Sequence, residues 1–282
     1  MEIPPSPPAD YPSLLAQDRA VLLALLEEAQ PSDWSRPTPC PGWSVLDLIV
    51  HLVGDDLGVL SRDRDGFYAT RPPEGTTEEG FVAFIDDLND LWVRAGRRLS
   101  PRAATDLLEW TGAQLVDLYR DQDPSQVSAR VTWASDHPIP KWMDHAREFT
   151  ESWIHHQQIR QALGLASRLE PEPTGAALDA FYWAYPYRLS GVRRPPGTSA
   201  EVRIEGPVRR QWRFISSGSG WEEAEVGVGR APTVGITMDT ERAWRLLSNG
   251  LLPEDYPSAD ADEDPELATV LLRTRAIVGF PQ

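Results

Sequence analysis

Up to about residue 164 the apolar residues recur with a helical period; beyond about 170 the texture changes to short alternating runs and turns. Residues 11–30 place Leu14, Leu15, Val21, Leu22, Leu25 and Leu26 at the i, i+3, i+4, i+7 spacing of an amphipathic helix. A proline-rich loop, PSDWSRPTPCPGW, separates it from SVLDLIVHLVGDD. There Ser44, with Asp47 three residues on, makes a capping-box-like start and predicts a helix from about 44 to 62. Phe81, Phe84, Ile85, Leu88, Leu91, Trp92 and Leu99 carry the period through 78–99, and a Ser-Pro start opens another helix over 101–120. ARVTWAS (129–135) reads as a short strand or extended link, and a long helix runs from roughly 139 to a stop at Gly164.

In the second part, AEVRIEGPV and RRQWRFIS predict a hairpin turning at Gly206-Pro207. EAEVGVG (223–229) and PTVGITMD are two further strand candidates, and the glycine-rich SSGSGWEE before them reads as a turn. TERAWRLLSNG gives a short capped helix, LPEDYPSADADEDPE a solvated acidic connector, and ELATVLLRTRAIVG a closing helix. The first part is therefore all-α and the second α+β, with a boundary near 170–198. A chain of 282 residues also leans to two domains on length alone.

Composition narrows the function classes. The 43 acidic residues against 27 basic leave a net charge of −16, which argues against nonspecific binding to nucleic acid or anionic membranes, both polyanions. Arg193, Arg194, Arg209 and Arg210 nevertheless cluster in sequence and could form a local basic pocket. No apolar run is long enough to span a bilayer, and the first residues have neither a basic nor an apolar leader segment, so the expected location is the cytoplasm. One cysteine, Cys40, excludes an intrachain disulfide and a multi-cysteine zinc site.

The candidate chemistry lies in ESWIHHQQIRQALG (151–164). Glu151 and His155 are four apart and share one helix face, so both can reach a single ion. His51, on the second predicted helix, could face them across a helix bundle. Two histidines and one carboxylate with a fourth position open is the donor pattern of catalytic zinc. The plainer alternative stands beside it: an exposed helix pair at i, i+4, and a half-buried His51 bonded to a backbone carbonyl. His156 lies about 100° around the helix from His155, which makes it a substrate contact or a support rather than a ligand. His145 is off the face as well, and His137 falls in a loop. Cys40 precedes a helix start, where thiol pKa values can fall, but has no base adjacent in sequence and reads as structural.

TPCPGWSVLDLIVHL and REFTESWIHHQQIRQALG resemble the two ligand-bearing helices of the mycothiol-dependent maleylpyruvate isomerase family. VRIEGPVRRQWRF and the closing TRAIVGFP are similar to its C-terminal domain. The resemblance implies a DinB-like metal-binding four-helix bundle over 1–170, followed by a small α+β (SCP2-like) domain over 171–282. It also implies that His51, Glu151 and His155 bind a divalent metal, normally zinc. The chain departs from the family pattern at Gln158, where an acid is frequent, and at His156, which replaces a small residue. Asp55, His156 and Gln158 are the residues expected around the ligands.

The activity that this resemblance implies is a metal-assisted reaction of a low-molecular-weight thiol such as mycothiol with a small electrophilic substrate, as an isomerase or an S-transferase. Arg193 or Arg210 could hold an anionic substrate, although a solvated basic patch explains either arginine as well. Two alternatives stay open: a metal-dependent hydrolase with Asp55 as base, and a non-catalytic metal- or ligand-binding protein. The sequence leaves the oligomeric state undetermined.

Overall fold

The structure, a computed structural model, describes residues 1–68, 70–227, 231–251, 253–260 and 263–276. The chain is mixed helix and sheet, and its backbone packing divides it into two compact units. One comprises Asp10–Asp123 and Glu148–Arg168; the other comprises Met1–Ala9, Pro124–Arg147 and Leu169–Gln282.

The first unit is helical among its described residues. Its helices are α1 (Tyr11–Glu27), α2 (Val45–Val59), α3 (Glu78–Gly96), α4 (Pro101–Asp121) and, from Glu148 onward, α5 (Trp142–Ala162). Local chemistry sets each start: Asp10 caps α1 through the Ser13 N–H, Ser100 caps α4 through Ala103, and Pro101 follows in the first turn. On α2 the capping box is complete, with Ser44 N–H donating to Asp47 at 2.9 Å and Asp47 N–H to Ser44 Oγ at 3.3 Å. Arg97 then grips the Asp47 carboxylate from the end of α3, at 2.9 and 3.2 Å.

Nearly every side chain of α2 from Val45 to Val53 is buried, and α2 packs against both α3 and α4. A helix apolar on most of its circumference belongs in the middle of a core. Leu22 and Leu26 of α1, Ala104 and Leu108 of α4 and Ile159 of α5 complete that core. Helix α5 stops as expected at Gly164, whose φ of 75° lets Leu165 N–H reach Arg160 O and Gly164 N–H reach Gln161 O.

The second unit holds a sheet of order β5-β4-β3-β6-β7, built from β3 (Ser199–Glu205), β4 (Arg210–Ser216), β5 (Trp221–Glu223), β6 (Val234–Asp239) and β7 (Ala259–Asp260). The β3–β4 hairpin turns at Gly206-Pro207 as the sequence indicates, with Gly206 at φ 110°. Strand β6 runs parallel to β3, while β4–β5 and β6–β7 are antiparallel. Helices α8 (Thr240–Leu247) and α9 (Pro265–Leu272) pack on β6.

Several expectations need correction. Helices α6 (Pro171–Phe181) and α7 (Ala184–Ser190) occupy a stretch the sequence left unassigned, because its prolines and glycines read as a boundary. Pro171 in fact opens α6, in a position where its missing N–H costs nothing. The strand placed at 223–229 lies earlier, at β5: the Trp221 indole is buried and bonds Val192 O at 2.8 Å, while 226–227 turn with Gly227 at φ 77°. Residues 228–229 are outside the described residues.

Pairing occurs on either side of 129–135, between β1 (Val127–Ser128) and β2 (Ile139–Pro140), so α5 begins at Trp142 rather than near 139. The acidic connector contributes β7 to the sheet edge. The closing helix ends at Leu272, since Ala276 N–H bonds Leu247 O at 2.8 Å and draws the chain off the helical path. The rest of that expected helix, 277–279, lies outside the described residues.

Candidate metal centre

Helix α2 carries His51 and α5 carries Glu151 and His155, all within the helical unit. The Glu151 Oε1 atom is 3.3 Å from His51 Nε2 and 3.0 Å from His155 Nε2. The two imidazoles meet edge to face, with ring centroids 4.7 Å apart. One donor atom from each of the three lies within 4.8 Å of the others. Around a tetrahedral ion with bonds of about 2.1 Å, ligand atoms stand roughly 3.4 Å apart. The geometry therefore fits a divalent cation, and two imidazoles with one carboxylate are donors that suit zinc.

Burial makes the cluster costly unless its charges find partners. His51 and His155 are 3% and 7% exposed, and the Trp43 ring packs on His51 at 5.0 Å. Burial alone would raise the Glu151 carboxyl, but hydrogen bonds with His155 and His51 outweigh it and hold that carboxyl well below the usual range. Burial would likewise lower His155; Cys40 and Glu151 beside it reverse the direction and hold it well above its ordinary value. On one side the cluster reaches solvent, because the side chains of Glu151 and Asp55 each retain 26% of their exposure.

Of the residues expected around the ligands, two touch them. Asp55 lies one turn after His51, with Oδ2 3.2 Å from His51 Nε2. Burial pushes its carboxyl up to about 6, against the pull of His51 and with the help of the Glu151 and Glu148 charges. Gln158 Oε1 stands 2.7 Å from His155 Nδ1. His156 turns the other way: it is fully buried, with Nδ1 2.8 Å from Asp18 Oδ1, and Ser152 Oγ bonds the same carboxylate at 3.2 Å.

No signal in the sequence marks Asp18, which sits on an apolar face of α1, or the neighbouring buried pair of Arg19 and Asp56 at 2.9 Å. Cys40, 118 residues from Gln158 in sequence, is brought to 3.2 Å from Gln158 Oε1. An open cavity of about 520 Å³ is lined by Arg36, Pro37, Thr38, Pro39, Gln161 and Ala162 and by none of the three cluster residues. In the second unit the Arg210 fork is occupied by Asp179 at 2.6 and 2.8 Å, and Arg194 by Asp264 and Glu266. Arg193 bonds the carbonyl of Ser219.

With this geometry in place, comparison with known proteins becomes specific. The family model described as the mycothiol maleylpyruvate isomerase N-terminal domain matches residues 15–160, more than half of the chain. The chain belongs to this family. The matched stretch contains His51, Glu151 and His155. The fold is similar to two solved structures, of a mycothiol-dependent maleylpyruvate isomerase and of a histidine-to-alanine mutant of that enzyme. They are 14% and 13% identical to this chain with TM-scores of 0.52 and 0.51, and each match covers 90% of this chain and 95% of the other. No curated protein matches the chain. Among the described residues no helix is long and apolar enough to cross a membrane.

Proposed function

We propose that this chain holds a divalent metal, zinc by preference, on His51, Glu151 and His155, and that it catalyses a thiol-dependent isomerase or S-transferase reaction on a small electrophilic substrate. The observation that carries the metal reading is the convergence of the three donors from two helices a hundred residues apart, at separations close to those of a coordination sphere. Family membership supports the thiol, with mycothiol the first candidate. The DinB-like assignment of the helical unit and the SCP2-like assignment of the C-terminal part, with the division near 170, belong to the same reading.

A zinc ion bound here would lower the pKa of a thiol in its open position and so supply a thiolate at neutral pH. The chain's own residues prepare the place. His51 and His155 are locked by burial and by their neighbours, which limits the reorganisation that binding requires. The exposed side of Glu151 and Asp55 is the route by which a thiol and a substrate reach the cluster. Asp55, one turn after His51 and 3.2 Å from its Nε2, is placed to take the proton that a thiol gives up and return it later in the cycle.

The raised Asp55 also favours a second reading, in which that carboxylate serves as the base for attack by water in a hydrolase. Cobalt-substituted protein separates the two. The thiol reading predicts that mycothiol at millimolar concentration adds a sulfur-to-cobalt charge-transfer band; an unchanged spectrum with mycothiol and with simpler thiols would leave the hydrolase.

A further inference from the structure

We propose that Gln158 is the positioning residue for His155: its side-chain oxygen accepts a hydrogen bond from Nδ1–H, which holds the ring with Nε2 facing His51 and Glu151. The inference rests on the metal reading above for its consequence, though not for its geometry.

Two independent contacts fix the orientation of the Gln158 amide. Its Oε1 atom is 2.7 Å from His155 Nδ1 and 3.2 Å from Cys40 Sγ. A ring N–H and a thiol S–H both require an acceptor; an amide oxygen has two lone pairs, while the amide nitrogen offers only donors. One oxygen therefore serves both, with Nδ1 carrying a proton. The other ring nitrogen, Nε2, faces the Glu151 carboxylate at 3.0 Å; it donates to that carboxylate in the metal-free chain and is the atom that would meet an ion once its own proton has left. Because the two ring nitrogens are distinct, the bond made by one decides what the other can do.

The arrangement is rigid for reasons visible in the chain. Gln158 lies three residues after His155 on α5, so the two side chains meet on one face. It is only 8% exposed, which leaves water little chance to compete for its oxygen. Six residues on, Gly164 closes the helix with both terminal bonds made, so this segment does not fray. Cys40 saturates the second lone pair of Oε1 and keeps the amide from rotating. Within this network the thiol is a hydrogen-bond donor to Gln158.

The test uses the full chain in four forms: wild type, Gln158→Leu, Gln158→Glu and Cys40→Ser. Nitrogen-15 NMR of the metal-free protein reads the His155 ring protons directly. The proposal expects a hydrogen-bonded Nδ1–H in wild type, Gln158→Glu and Cys40→Ser, and its loss or rapid exchange in Gln158→Leu. Cobalt titration then reads the consequence. Gln158→Leu should bind about 10- to 100-fold more weakly, the loss typical of a removed outer hydrogen bond. Gln158→Glu, which restores an acceptor, should recover most of the affinity. Circular dichroism identifies any variant that fails to fold, in which case Gln158→Glu set against wild type still decides.

A wild type whose Nδ1 carries no hydrogen-bonded proton overturns the proposal, whatever the metal does. So does a Gln158→Leu variant that binds cobalt as tightly as wild type. Wild type with the expected Nδ1–H but no cobalt binding would refute the metal reading and leave the positioning of His155 standing.

Discussion

His155 and His156 are neighbours in the chain yet face Glu151 and Asp18 respectively, because one residue of helix turns a side chain by about 100°. The same division recurs on α2, where Asp55 meets His51 and Asp56 meets Arg19 and Thr111. Adjacent residues thus split between a cluster with a solvent side and an anchor with none. The two histidines should respond differently to loss. His156→Ala strips a partner from the buried Asp18 carboxylate and should destabilise the fold by about 3 kcal/mol in urea denaturation, with metal stoichiometry unchanged. His155→Ala should abolish metal binding at a smaller stability cost; equal effects of the two on metal content would contradict the division.

Proton balance gives a second prediction at this scale. Its neighbours hold His155 well above its ordinary value in the metal-free chain, so an arriving ion has to displace a proton from it. Metal binding should release about one proton, read as a calorimetric enthalpy that changes with the ionisation enthalpy of the buffer. Affinity should fall about tenfold per pH unit below the His155 value. An enthalpy independent of buffer would count against the assignment.

At the scale of elements, the C-terminal turns of α3 hold α2 at two places, around Val50–Gly54 and at its start. Trp92 donates from its indole to Val50 O at 2.7 Å, and a Cβ on Gly54 would stand 2.5 Å from that ring. In an open helix Gly→Ala would add about 1 kcal/mol of stability. Here the clash decides the sign, and Gly54→Ala should destabilise by about 1–3 kcal/mol in thermal or chemical melts. At the other end, burial acts to raise Asp47 but hydrogen bonds from Arg97 and Ser44 prevail and lower it from 3.8. A lowered folded value means that its contribution is present above the unfolded pKa and lost as pH falls through the lower folded one. Asp47→Asn should lower stability at pH 7 and flatten the dependence below pH 4; an unchanged acid limb would show that Asp47 is not the group responsible.

These elements also show what was legible. The capping box at Ser44, the stop at Gly164 and the 206–207 turn follow from local chemistry and are where the sequence puts them. The spacing of Glu151 and His155 is equally local. What escaped was set by tertiary packing: α6 begins at a proline, β7 gains its pairing from β6, and Asp18 and Cys40 meet their partners across more than a hundred residues. No periodicity along the chain encodes such contacts, although Pro171 at the first helical position was a readable sign of α6.

At the scale of the whole molecule, the family match spans the helical elements that bear His51, Glu151 and His155, while the fold likeness extends over 90% of the chain. The net charge of −16 disfavours nonspecific contact with polyanions. Everything proposed for the chemistry depends on whether the cluster on α2 and α5 holds an ion. Elemental analysis of untagged, chelator-free protein, wild type beside His155→Ala, tests this most directly. The account predicts one equivalent of zinc or another divalent metal in wild type and its loss in the variant. Wild-type protein without metal, even after reconstitution, would contradict it and leave Glu151 and His155 as a helix pair bonded to His51.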